Sequence, residues 1–258
     1  MSAVMTLWGK HMQKLRIHPE EAFGMVIQSV LWVVLFGIGM KSLLGVTVGG
    51  GDAYMTFMVP GIVALTAMTA AVGGGLVWLT ERIMGIVKEY LAAPIPRISI
   101  LGGNALSIIT KTLFQSIIIL VLGVLIGATG NLDPLGWLGG IILLTAYGLG
   151  FAGIALAFAS KTNDPGSYHM VIFLFTLPLL FLSNALYPLE SLPKWMEICA
   201  RLNPTTYAVD GMRQTFMDSS VASTGGDFIA LWICFVVLAA FAVICMSLAY
   251  FVFKRSIR

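Results

Sequence analysis

The sequence predicts an all-α integral membrane protein with six transmembrane helices and an amphipathic helix at its amino terminus, and three observations carry that prediction. First, 58% of the 258 residues are hydrophobic and 10% charged, giving a mean hydropathy of +0.93. Soluble domains hold about 45–50% apolar residues, glycine included, and about 25% charge; a water-facing fold of this length has no interior large enough to hide the excess. Second, six apolar stretches lie at about 24–44, 55–79, 104–128, 136–159, 168–186 and 229–252. Each is long enough to cross the hydrocarbon layer as a helix, the open-chain form that satisfies its own backbone in lipid. Third, the cations sort to one side. An even number of spans puts both termini on the same face, where Lys10, Lys14, Arg16, Arg82, Lys88, Arg97, Lys161, Lys254, Arg255 and Arg258 then lie. Only Lys194, Arg201 and Arg213 fall in the opposite loops, with Lys41 and Lys111 in or beside spans. That asymmetry places both termini in the cytoplasm.

The elements follow in order. Residues 1–18 form an amphipathic helix with Val4, Met5, Trp8, Met12 and Leu15 on one face and Lys10, Gln13 and Lys14 opposite, Leu7 being out of place. Such a helix lies along the inner membrane surface. Pro19, Glu20 and Glu21 suit the first turn of a new helix, so the chain bends near His18. The apolar run after Gly24 exceeds the roughly 7–15 residues of a signal-peptide core and reads as a retained first span. Outer loops 45–54 and 129–135 are short and rich in glycine. The segment 187–228 carries three prolines and a stretch from Pro193 to Leu202 able to form a short amphipathic helix; a loop that long has structure or work of its own. The whole of 1–258 reads as one transmembrane domain.

The inner loop from Thr80 to Arg97 is the most informative segment. Thr80 suits an N-cap and Pro94 a stop, which predicts a helix over 80–93. On a helical wheel Glu81, Arg82, Gly85, Lys88 and Glu89 share one arc with Gly85 near its centre. A mid-helix glycine costs roughly 1 kcal/mol relative to alanine, so its presence on a polar face suggests that another surface approaches closely.

The remaining signals are weaker. Cys199, Cys234 and Cys245 have no metal-ligand spacing, and a net charge of +3 does not point to nucleic acid. No Gly-x-x-x-x-Gly-Lys-Ser/Thr phosphate loop occurs. The Gly148 to Gly153 run spells a dinucleotide signature but sits inside a span, where small residues permit close helix packing; Gly123 and Gly127 read the same way. Lys111 either snorkels to the inner interface or lines a polar pathway. His169 suits the inner interface, and Gln28 and Asn184 are polar positions within spans, suited equally to helix–helix hydrogen bonds and to cargo contact.

Two motifs carry a family resemblance. The inner pattern E-R-x-x-G-x-x-K-E-x-L-x-A-P-x-x-R, and Asn203-Pro-Thr-Thr-Tyr-Ala-Val-Asp-Gly-Met-Arg213 before the last span, resemble type-2 permeases of ATP-binding-cassette exporters, the group with drug-resistance and lipo-oligosaccharide members. The resemblance implies that 80–93 is a coupling helix in which Glu81, Arg82, Gly85, Lys88 and Glu89 contact a separate ATPase subunit. It implies that 1–18 is a connecting helix and that 187–228 contains re-entrant helices bearing Asn203, Pro204, Tyr207 and Arg213. It further implies a homodimer or close heterodimer in a bacterial inner membrane, ATP and magnesium bound by the partner and none by this chain, and outward movement of an amphipathic or lipid-linked cargo. Gly211 departs from the family's common alanine, which puts the local helix in question. The competing reading is a secondary transporter or channel, which would place several ionisable groups at mid-membrane.

Overall fold

A computed structural model describes residues 3–39, 51–93, 95–128, 130, 133–186, 189, 193–217 and 229–256. Lys41, Pro94, Arg258 and the segments 40–50 and 218–228 lie outside the described residues. Among those described, the chain forms ten α-helices. They are α1 (Ala3–Ile17), α2 (Pro19–Trp32), α3 (Gly51–Ile83), α4 (Ile86–Ala92), α5 (Arg97–Ile126), α6 (Pro134–Lys161), α7 (Pro165–Phe181), α8 (Lys194–Leu202), α9 (Pro204–Phe216) and α10 (Leu231–Ser256).

Among the described residues, four stretches are long and apolar enough to cross a membrane: Thr56–Ile83, Arg97–Ile126, Pro134–Lys161 and Leu231–Arg255. The sequence predicts six. The two not in this set are α2, which passes into a π-helical turn at Val33–Ile38, and α7, whose 17 residues stop at Phe181. The predicted fifth span therefore ends early, and Asn184 sits in the bend beyond α7 rather than inside it.

The helix ends follow local chemistry. His18 leaves helical geometry at φ −111°, ψ 74°, and Pro19 with Glu20 and Glu21 starts α2, proline needing no N–H there and carboxylates favouring the positive end. Asp133, Asp164 and Asn203 cap α6, α7 and α9 through side-chain oxygens, each followed by proline at the first helical position. Gly127 ends α5 with φ +120°, so it is a left-handed cap and not the packing residue its spacing with Gly123 suggested.

The buried face of α1 also differs from the wheel. Leu7 and His11 are its buried residues, while Met5 is 48% exposed. The reason is α5: a Cβ at Gly103 would lie 2.6 Å from the Leu7 Cβ, and the Trp8 indole N–H donates to Thr110 Oγ1 at 3.0 Å. Glycine at 103 opens a slot for Leu7, so α1 turns toward protein a side that hydropathy alone would not select.

α6 and α10 pack closely along their length. A Cβ at Gly150 would fall 2.2 Å from the Phe241 ring, and one at Gly153 would fall 2.6 Å from the backbone of Cys245. Rings extend the contact: Tyr147 meets Phe151 at 4.9 Å and Phe151 meets Phe241 at 5.4 Å. The glycine run inside the fourth predicted span thus serves close helix approach. Gly153→Leu drives a side chain into unyielding backbone, and overpacking of this kind costs about 1–3 kcal/mol or more; it should lower the thermal midpoint in detergent. At Gly139 a Cβ makes only ordinary contacts, so Gly139→Ala should melt as the wild type does. Equal midpoints for all three proteins would contradict this packing.

Candidate functional site: the braced glycine turn and the buried arginine knot

The helix predicted over 80–93 is broken. Thr80 lies within α3 and donates its hydroxyl to Leu76 O at 2.9 Å, so it is not a cap. The Gly85 N–H donates to Arg82 O at 3.1 Å, Gly85 adopts φ +82°, and α4 begins at Ile86. A Cβ at Gly85 would meet nothing within 4 Å. The glycine is there because the backbone is left-handed, a conformation that disfavours any side chain by roughly 1–2 kcal/mol, and close approach within the chain does not require it. Ala93 then takes the extended conformation (φ −76°, ψ 147°) expected of a residue before proline.

Breaking the helix divides the predicted polar arc. Lys88 and Glu89 are exposed, and so are Ile83 and Met84, the latter at 71%. Glu81 and Arg82 turn inward instead. Glu81 is buried and pairs with Lys10 of α1, Nζ to Oε1 at 2.6 Å. Lys10 also donates to the Tyr90 hydroxyl and lies 4.9 Å from the centre of that ring, while the hydroxyl donates to Glu81 Oε2 at 3.4 Å. One ammonium thereby joins α1, α3 and α4. Burial opposes its charge, but hydrogen bonds to Glu81 and Tyr90 and the Glu81 carboxylate carry the Lys10 pKa above the ordinary lysine value. Burial raises the Tyr90 phenol as well.

Arg82 fastens the same turn to the connection between α6 and α7. Its guanidinium donates to the Ser160 and Thr162 carbonyls and to Asn163 Oδ1 at 2.8 Å. A third polar contact lies under α1, where Lys111 of α5 pairs with Glu21 of α2. The lysine that the sequence left between snorkelling and pathway lining therefore has a protein partner. Glu21 was legible only as a first-turn carboxylate, since nothing in the spacing says that α2 and α5 are neighbours. His11 is buried close to Lys10, Lys111, Lys14 and Glu81, and burial pushes its pKa down. Gln28 is half-buried on α2.

At the opposite end the second motif builds a knot. Arg213, counted from sequence as an outer-loop cation, is 2% exposed. Its Nε donates to Phe57 O at 3.0 Å, its Nη2 to Asn184 O at 2.7 Å, and its Nη1 lies 3.5 Å from Asp210 Oδ1. The guanidinium stacks 3.7 Å from the centre of the Phe57 ring. Phe57 lies in the α3 turn that contains Pro60. The Asn184 amide donates to Asp210. Asn203 caps α9 and also donates to Leu182 O at 2.7 Å; Pro204 opens that helix, and the Tyr207 hydroxyl donates to Arg201 O at 2.7 Å. Gly211 does not weaken α9, which runs unbroken through it. A Cβ there would lie 2.7 Å from Leu143, so glycine admits the α6 side chain.

These features define a class: a helical membrane protein with a braced, partly solvent-facing turn at one end and a buried polar knot at the other. The family model "ABC-2 type transporter" matches residues 2–217, and the chain belongs to that family. It is 27% identical over 253 residues to the inner membrane transport permease YadH of Escherichia coli strain K12, covering 95% of this chain and 94% of YadH. It is 32% identical over 208 residues to ycf38 of Porphyra purpurea, named as a putative transport permease, covering 78% and 69% of the two chains. YbhR of Escherichia coli, named as a probable multidrug ABC transporter permease, is 26% identical over 208 residues, which are 79% of this chain and 54% of YbhR.

Removing Arg213 leaves Asp210 buried without its cation, a loss of about 3–5 kcal/mol for broken buried pairs. Arg213→Met should therefore abolish monodisperse protein on gel filtration in detergent. Arg213→Met combined with Asp210→Leu, which buries no charge, should recover part of it; a double variant worse than the single one would refute the pairing.

Proposed function

We propose that the chain is the membrane subunit of an ATP-driven exporter whose ATP chemistry is carried out by a separate cytosolic subunit. In this reading α2 with its π turn and α7 complete six crossings, both termini are cytoplasmic, and two copies of the chain flank the pathway. Segment 80–93 receives the ATPase subunit, and its displacement biases the bundle between inward-open and outward-open states. The cargo is amphipathic or lipid-linked. Family membership supports the pairing with an ATP-binding subunit, and the relatives named as permeases support the transport role.

The observation that carries the docking assignment is the Gly85 turn. Ile83, Met84, Lys88 and Glu89 stand exposed around it, while Glu81 and Arg82 anchor it from behind. A surface that combines apolar tips with both signs of charge on a braced backbone suits a protein partner.

Two substitutions test the assignment together. Gly85→Arg strains the turn and adds bulk at its tip; Met84→Asp changes only an exposed side chain. Both should lower recovery of the ATPase subunit in co-purification by about tenfold, equivalent to about 1.4 kcal/mol, and reduce ATP-dependent transport, with Met84→Asp melting as the wild type does. Normal recovery and transport by Met84→Asp would remove the docking assignment, and transport in vesicles lacking the ATPase subunit would favour a secondary transporter.

A further inference from the structure

A cleft of about 510 Å³ opens at the inner ends of α3, α6 and α10, with α4 as its outer wall. The volume is within the range of ligand sites, roughly 300–1,000 Å³. Its lining has two parts. Arg82, Lys88 and Lys161 supply three cations, and no carboxylate is among the described residues that line it. Below them Trp78, Val87 and Phe253 form an apolar floor, in which the Trp78 and Phe253 rings meet edge to face at 5.5 Å.

The three cations are not equivalent. Arg82 is already engaged by the Ser160 and Thr162 carbonyls and by Asn163, so it contributes charge and a fixed wall. Lys88 and Lys161 are exposed and stand on different helices on either side of the opening. Cations on the helix ends over an aromatic and aliphatic floor are complementary to a molecule with a phosphate at one end and hydrocarbon at the other. The helix ends that form the cleft are those of three membrane-crossing stretches, which puts it at headgroup depth.

We propose that this cleft binds an anionic glycerophospholipid of the inner leaflet, its phosphate held by Lys88 and Lys161 beside Arg82 and its glycerol and upper acyl segments on Trp78, Val87 and Phe253. The proposal takes from the preceding section only the orientation of these helix ends. It requires neither the ATPase subunit nor transport. The cleft shares Ile83 and Lys88 with the rim of the exposed turn but does not include Met84 at its tip, and it gives the α3–α4 turn a lipid contact on the side facing the bundle.

The test is native mass spectrometry of the full-length chain in neutral detergent, titrated with phosphatidylglycerol or with phosphatidylcholine of the same acyl chains. The wild type should retain phosphatidylglycerol at least roughly tenfold better, since a lysine near an anionic headgroup contributes about a factor of five. Lys88→Gln with Lys161→Gln should bring the two lipids within about twofold. Lys88→Gln alone, which alters only an exposed side chain of α4, should lower the preference by about fivefold and serves if the double variant is unstable. Lys14→Gln with Arg16→Gln, which removes the same charge from exposed positions on α1, should leave the preference intact. Equal binding of the two lipids by the wild type, full preference in both cleft variants, or loss of preference in the α1 variant would overturn the proposal. Displacement of phosphatidylglycerol by an equal concentration of inorganic phosphate would also overturn it, in favour of a free-anion site.

Discussion

Apolar helices in lipid gain little by burying apolar surface against one another, because the surrounding tails are as apolar as leucine. What holds them together is close van der Waals contact and hydrogen bonding between polar groups that have no water to turn to. This structure separates the two sources by depth. The middle of the bundle is joined by close contact: Gly150 under Phe241, Gly153 against the backbone of Cys245, Gly74 against Ile108. The two ends are joined by charge: Arg213 with Asp210 and the carbonyls of Phe57 and Asn184 at one, Lys10 with Glu81, Lys111 with Glu21, and Arg82 at the other. Each class of contact does what the other cannot. Glycine slots fix distance, and directed donors fix register.

The polar contacts at the Gly85 end of the bundle tie together elements that sequence does not place side by side. Isolated solvent-facing ion pairs stabilise little, but the Lys10–Glu81 and Lys111–Glu21 pairs are partly buried, and with the Arg82 contacts they link elements far apart in sequence. Lys10 reaches Glu81 and Tyr90, Lys111 reaches Glu21, and Arg82 reaches Asn163. The result is a single polar layer beneath α1 from which the Gly85 turn projects. Residues at the tip stand exposed while their neighbours Glu81 and Arg82 are committed to the scaffold.

Sequence and structure agree where one chemical rule acts alone. Membrane character follows from composition. The glycine contacts of α6 follow from small residues inside an apolar run, and the starts of α6, α7 and α9 carry a signal that the reading of spans did not use, an Asp or Asn before a proline. Disagreement arises where two rules compete. A continuous wheel over 80–93 weighs helix periodicity and ignores that Gly85 is also the residue best able to turn left-handed; the turn wins and redirects Glu81 and Arg82 inward. Leu7 looks misplaced until Gly103, about a hundred positions away, provides the slot for it. Arg213 counts as an outer-loop charge in any tally of cations, yet it is buried, because Asp210 one helical turn earlier lies within reach of it. The Lys111 and Glu21 pairing had no local signature at all, since partners on separate helices are set by packing.

The way Arg82 is spent has a mechanical consequence. Its guanidinium grips the backbone at the end of α6 and the side chain just before α7, while the adjoining Glu81 is held by α1. The α3–α4 turn, the α6–α7 connection and the amino-terminal helix are therefore tied into one plate rather than left as three hinged flaps. Tyr90 of α4 shares the Lys10 ammonium with Glu81 of α3, so the chain is tethered on both sides of Gly85 and has no free hinge there. By contrast, α7 meets the rest of the bundle mainly along Tyr168, Ile172 and Leu180.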